Sequence, residues 1–195
     1  MVRKRFYAKI ILIIFFIAIL SFYFTYSEKH EKQAETLQTE TPQSERDCII
    51  EKESKIVNGI SMEPIISDRQ EVTILKGYYS CNPVERNDII IYSYAGNKNP
   101  LIKIVKGIPE DTFELRKTGS SWNIIINDEI LMNSQDTPYL LDKREYGILS
   151  LYEKEYKGII PGNTYLLMGN LAEGSLDSTR FGLIDKKDII GKVVY

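Results

Sequence analysis

A chain of 195 residues can hold one ordinary domain plus an appended segment, but not two large domains. Its formal net charge of -2 provides no basic face to displace phosphate counterions, so DNA and RNA are excluded as partners. With His30 as the only histidine and Cys48 and Cys81 as the only thiols, a histidine-based triad and histidine- or cysteine-rich zinc sites are excluded, and no metal or cofactor is expected.

Residues 1–9 carry Arg3, Lys4, Arg5 and Lys9, and residues 10–26 follow as a nearly unbroken apolar and aromatic run. At about 1.5 Å per residue that run covers roughly 25 Å, so it reads as a single membrane-spanning helix. The basic residues in front keep residues 1–9 cytoplasmic and send everything after Tyr26 outside. Phe22, Tyr23, Phe24 and Tyr26 at its end suit an interfacial aromatic belt, whereas a cleaved secretory signal ends in small residues. Residues 27–54 turn to Glu, Lys, Gln, Thr and Ser, a composition that cannot bury enough surface to order itself, and read as a polar tether. Outside the cytosol Cys48 and Cys81 can pair, and both the disulfide and two free thiols stay open.

From residue 55 to 195 short β-rich runs alternate with turn residues, which predicts an all-β extracytoplasmic domain of antiparallel type. The expected strands are 71–76, 88–94, 101–106, 112–117, 122–126, 129–132, 164–168 and 191–194. Asn127-Asp128 suits a hairpin turn, and Pro161-Gly162 suits a turn ahead of Thr164. Residues 138–157 mix Tyr, Leu and charges without a clear period, as an irregular insertion or a short helix would.

A serine at Asn58-Gly59-Ile60-Ser61-Met62-Glu63-Pro64 lies in a stretch where Gly59 relaxes the backbone and Pro64 fixes it. A serine nucleophile needs a base, and without histidine that base is a lysine made neutral by burial. Lys103 lies between Ile102 and Ile104, with Leu101 and Val105 on its own face at strand spacing. Desolvation lowers an amine's pKa toward neutrality. Lys106, on the face of Ile102 and Ile104, competes for the role, and periodicity does not choose between them.

Four motifs in order bear a likeness to a known family. Gly59-Ile60-Ser61-Met62-Glu63-Pro64 resembles the nucleophile motif Gly-x-Ser-Met-x-Pro of the type I signal peptidases. Arg86-Asn87-Asp88-Ile89-Ile90 resembles their Arg-Gly-Asp-Ile/Val, and the segment from Lys103 through Gly107 and Pro109 to Asp111 resembles their Lys-x-x-x-Gly-x-Pro-Gly-Asp. The stretch from Met168-Gly169-Asn170 through Ser175, Asp177, Ser178 and Arg180 to Phe181-Gly182 is similar to the family's Gly-Asp-Asn followed by Ser-x-Asp-Ser-Arg-x-Phe-Gly. Asn170 and Leu171 replace Asp-Asn, Glu110 and Asn87 replace glycines, and Thr179 takes the place of the usual arginine.

The resemblance implies a signal-peptidase-like β fold and a Ser/Lys-dyad endopeptidase with Ser61 as nucleophile and Lys103 as base. It further implies that Ser175 hydrogen-bonds the base and that Asp177 stabilises the surrounding loop. The backbone of Ser61, with a second donor near Gly59, would hold the oxyanion. Ile60, Met62, Leu101 and Ile104 are candidates to line shallow substrate pockets. The implied partners are secretory precursor proteins carrying signal peptides and the lipid bilayer, and the implied location is the cell membrane. Two other readings are a self-cleaving regulator using the same dyad and a membrane-tethered peptide-binding module with a decayed site.

Overall fold

The computed structural model describes residues 49–94 and 99–195. The expected cytoplasmic stretch, the membrane helix, most of the tether and Cys48 lie outside these residues. Among the described residues no helix is long and apolar enough to cross a membrane. Cys81 is disulfide-bonded.

Two antiparallel sheets carry the fold. The larger has seven strands in the spatial order β1 (Glu51–Ile56), β2 (Glu71–Lys76), β11 (Ile189–Val194), β3 (Ile89–Tyr92), β4 (Leu101–Gly107), β9 (Thr164–Met168) and β10 (Ile184–Asp185). All four residues of β3 are buried, because both of its faces are covered. Ile89 and Ile91 enter one core with Val72, Ile74 and Ile104, while Ile90 and Tyr92 enter a second with Val105, Tyr165 and Leu167. An uninterrupted Ile-Ile-Ile-Tyr run is what a strand covered on both sides requires. Each such side chain contributes roughly 1.5–3 kcal/mol of transfer energy.

Strand β4 alternates in the same way. Ile102 and Ile104 pack with the first core, Leu101 and Val105 with the second, and Lys103 stands between these last two, opposite Ile90. A cation is thereby placed on an apolar face, where no neighbour at strand spacing can solvate it.

The smaller sheet contains β5 (Phe113–Thr118), β6 (Ser121–Ile126) and β7 (Glu129–Ile130), with β8 (Leu140–Leu141) pairing with the start of β6. Asn127 and Asp128 adopt φ 50° and 67°, the left-handed pair that a tight two-residue hairpin between β6 and β7 demands. A third core of Phe113, Leu115, Ile124, Leu149, Leu166 and Met168 fills the space between this sheet, helix α1 (Lys143–Glu155) and β9. The helix starts at a capping box: Glu145 N–H donates to the Asp142 carboxylate at 2.8 Å, and Asp142 N–H donates to the Glu145 carboxylate at 2.9 Å. Such a cap contributes about 1 kcal/mol.

Two sequence expectations are corrected. The domain is mostly β rather than all-β, since 13 residues within 138–157 form α1. Its period was blurred because Leu151 is 65% exposed while Ser150 is buried, which inverts the usual amphipathic order in mid-helix. The tether also ends earlier than expected, because β1 occupies residues 51–56. Composition misleads there: β1 is an edge strand, largely exposed, held by its ladder to β2 and by the cross-strand ion pair of Glu53 with Lys76.

Candidate active site

The loop of residues 57–70 joins β1 to β2 and carries Ser61. Its base is closed by Val57 N–H donating to Gln70 O at 2.9 Å and Arg69 N–H donating to Val57 O at 3.0 Å. Met62 and Ile66, 1% and 0% exposed, sink into the first core and pull the loop onto the sheet. Between them the chain turns tightly, with Glu63 N–H donating to Ile60 O and Ile66 N–H to Met62 O, each at 3.0 Å. Gly59 has φ 103°, a conformation that favours glycine, and its N–H donates to Asp68 Oδ1 at 2.7 Å. Ser61 is left on a half-buried turn at the rim of a cleft of about 460 Å³, whose opposite wall is formed by residues 99–103.

Lys103 meets Ser61 from that wall. Its Nζ lies 2.8 Å from Ser61 Oγ and donates to Ile102 O at 2.9 Å. The side chain is only 2% exposed, and burial lowers its pKa from 10.5 to about 8, against an opposing pull from the Asp177 carboxylate. At pH values near 8 a large fraction is therefore neutral amine within hydrogen-bond reach of a hydroxyl, the geometry of a nucleophile beside its base. Lys106 is turned elsewhere, with Nζ toward Asn87 Oδ1 at 3.5 Å.

The end of β9 and the segment after it support this pair. Gly169 has no room for a side chain: a Cβ there would lie 2.3 Å from Ser175 Oγ and 3.0 Å from Ser61 O. Asn170, wholly buried, donates its N–H to Ser61 O at 2.7 Å. Asp177, also wholly buried, caps the short helix α2 (Ser178–Phe181). It accepts from Gly169 N–H at 2.9 Å, Ser175 Oγ at 2.6 Å, Thr179 N–H at 3.0 Å and Thr179 Oγ1 at 2.8 Å. A buried carboxylate with four donors is well compensated, and it fixes the loop through the backbone of Gly169.

Several expected roles fall differently. Ser175 donates to Asp177, and Lys103 Nζ finds its partners in Ser61 and Ile102, so the expected bond between Ser175 and the base is not made. The Gly59 N–H is engaged by Asp68, which removes it as the second oxyanion donor. Met62 and Leu101 do line the cleft. Ile104 does not, because alternation along β4 turns it into the first core at 3% exposure. Ile60 is 57% exposed and lies outside the cleft lining. Arg180 pairs with Glu145 at 3.3 Å, and Thr179 takes the position beside Asp177.

Sequence reasoning gave no role to Asn170, Glu145 or Asp68. Asp142-Lys143-Arg144-Glu145 does carry the spacing of a capping box, a signal that would have located both α1 and Glu145. Asp68 lies within the loop itself with no distinguishing pattern, and Asn170 shows in the sequence only as a departure from the family motif, without a role. The second motif and the end of the third, past Lys103, also prove to be scaffold. Asp88 accepts from Tyr79 OH at 2.9 Å and Lys192 Nζ at 2.5 Å, while Asp111 accepts from Arg86 Nη2 at 2.5 Å and Ile108 N–H at 2.7 Å.

Known proteins share this arrangement of sequence. Signal peptidase IB of Staphylococcus aureus (strain COL) is 29% identical over 152 residues, covering 71% of this chain and 74% of its own. Signal peptidase I of Bacillus caldolyticus is 30% identical over 147 residues, covering 71% and 75%. The crystal structure of a signal peptidase I from Enterococcus faecalis V583 aligns with a TM-score of 0.42 at 22% identity, covering 58% of this chain and 98% of that one. Residues 47–195, which hold both sheets and the paired serine and lysine, match the signal peptidase, peptidase S26, and the chain belongs to that family.

Proposed function

We propose that the chain is a membrane-anchored signal peptidase that removes signal peptides from secreted precursors by Ser/Lys acyl-enzyme catalysis. The observation that carries this reading is a lysine 2% exposed with its Nζ 2.8 Å from Ser61 Oγ. Neutral Lys103 takes the Ser61 proton as Oγ attacks the scissile carbonyl, and the lysine, now an ammonium, gives the proton to the departing amine. A water then attacks the acyl-enzyme ester with Lys103 again accepting its proton, which the lysine returns to Ser61 Oγ as the ester C–O bond breaks and the acid product leaves. The Ser61 N–H has no protein acceptor among the described residues and serves the oxyanion. Asp177 and Gly169 hold the loop that backs the pair.

Residues 10–26 anchor the chain with residues 1–9 in the cytoplasm, and the domain beyond the tether works at the outer face of the cell membrane, where precursors emerge. The intact approach of base to nucleophile favours an enzyme over a decayed binding module.

The test uses the full chain in detergent with a secretory precursor and maps the cut by mass spectrometry. A single cut at the signal-peptide junction is expected, with Ser61→Ala and Lys103→Ala both inactive. Cleavage at the wild-type rate by either variant rejects the assigned roles.

A further inference from the structure

Asn170 is wholly buried, yet its polar atoms reach two separate segments of the chain. Its N–H donates to Ser61 O at 2.7 Å, and its Nδ2 donates to Glu63 O at 2.7 Å and to Ser134 Oγ at 2.8 Å. Its Oδ1 accepts from Ser134 N–H at 3.0 Å, and its main-chain O accepts from Asn133 Nδ2 at 3.0 Å. The first two bonds grip the main chain at the nucleophile and two residues past it. The others tie Asn170 to the turn between β7 and β8, itself stiffened because Asn133 Oδ1 accepts from Gln135 N–H at 2.9 Å and Thr137 N–H at 3.0 Å.

The orientation of the amide follows from its partners. A donor N–H faces one side and a carbonyl faces the other, so turning the amide over would set donor against donor and acceptor against acceptor. A carboxylate of the same shape could accept from Ser134 but would place an unpaired oxygen against Glu63 O in a buried site. The related motif has aspartate at this position, and the chain therefore departs from it in the one side-chain atom that reaches the nucleophile loop.

We propose that Asn170 is a positioning residue for the nucleophile: its side-chain amide clamps the main chain at Glu63 and so holds Ser61 Oγ against Lys103 Nζ. The proposal rests on the reading of Ser61 as nucleophile for its kinetic arm only. A hydroxyl displaced by a fraction of an ångström loses the approach to its base, which affects the chemical step more than substrate binding.

The test compares the full chain with Asn170→Asp and Asn170→Ala in steady-state cleavage of a secretory precursor from about pH 6 to 10, and by hydrogen exchange read peptide by peptide. Asn170→Asp is expected to lower kcat roughly 10- to 100-fold with KM changed less than about threefold, and the uncharged Asn170→Ala is expected to leave the midpoint of the pH profile unmoved. Exchange should rise across residues 58–66 and stay unchanged in the β5–β6 hairpin. Asn170→Ala keeps the main-chain bond to Ser61 and adds no charge, so a smaller loss in the same direction is expected, and this variant is read alone if the aspartate variant does not fold. Wild-type kcat in both variants, a change confined to KM, unchanged exchange over 58–66, or a rise that includes the β5–β6 hairpin would each overturn the proposal. Should Ser61→Ala retain activity, the nucleophile assignment fails, while exchange over 58–66 still decides whether Asn170 holds the loop.

Discussion

At the scale of single residues, Lys103 as the proposed base ties cleavage to pH. Burial removes water from the ammonium and lowers its pKa to about 8, while the Asp177 carboxylate pulls the other way. Only the neutral amine can accept the Ser61 proton, so kcat/KM for a precursor should climb with pH through a midpoint near 8 and fall about tenfold per pH unit on the acid side. A pH–rate profile flat from pH 6 to 9 would remove Lys103 from the role of base. In the sequence the scarcity of histidine points to a buried lysine but leaves Lys103 and Lys106 both open, and only the likeness to the signal-peptidase motifs singles out Ser61 and Lys103. Asn170 gave no such signal, since its partners Glu63 and Ser134 lie far away in sequence and an asparagine after a strand is ordinary turn chemistry.

At the scale of elements, the nucleophile loop and the turn after β9 touch through backbone, and Gly169 is the contact. A methyl group added there would overlap Ser175 Oγ at 2.3 Å and crowd Ser61 O at 3.0 Å. Gly169→Ala is therefore expected to cost about 1–3 kcal/mol of stability and to reduce kcat by separating the loop from its support, measured by denaturant melts alongside cleavage rates. A fully active, equally stable Gly169→Ala protein would show that the two segments need not be so close. Strands with strong alternation or continuous burial, β2, β3, β4 and β9 among them, could be read from their residues. β1 could not, since an exposed edge strand of Glu, Lys and Ser is held by hydrogen bonds and looks like tether in composition. Helix α1 was ambiguous because its apolar stripe is broken at Ser150 and Leu151, although its capping box stood in plain view.

At the scale of the whole molecule, the buried Lys103 weighs against folding. Its pKa is lowered from 10.5 in the unfolded chain to about 8 in the folded one, so between these values the unfolded state binds more protons and stability rises with pH. Below pH 8 the fold carries the full cost of a buried ammonium, on the order of 3 kcal/mol. Lys103→Met should thus be inactive yet more stable than wild type at pH 7, with the difference fading toward pH 10.5; equal melting temperatures at pH 7 would contradict it. What the sequence could not convey at this scale is strand order, because pairings such as β2 with β11 and β9 with β10 depend on contacts across long separations.

That strand order also decides how the two halves of the site are joined. Ser61 hangs on β1 and β2, Lys103 sits in β4, and β11 lies between β2 and β3 as the rung that joins the two groups. β2 and β3 share no ladder, so the two groups close into one sheet only through β11, which pairs with both. The register that brings Ser61 to Lys103 therefore runs through a strand that supplies neither residue, and loosening β11 is expected to blunt the proposed chemistry from a distance.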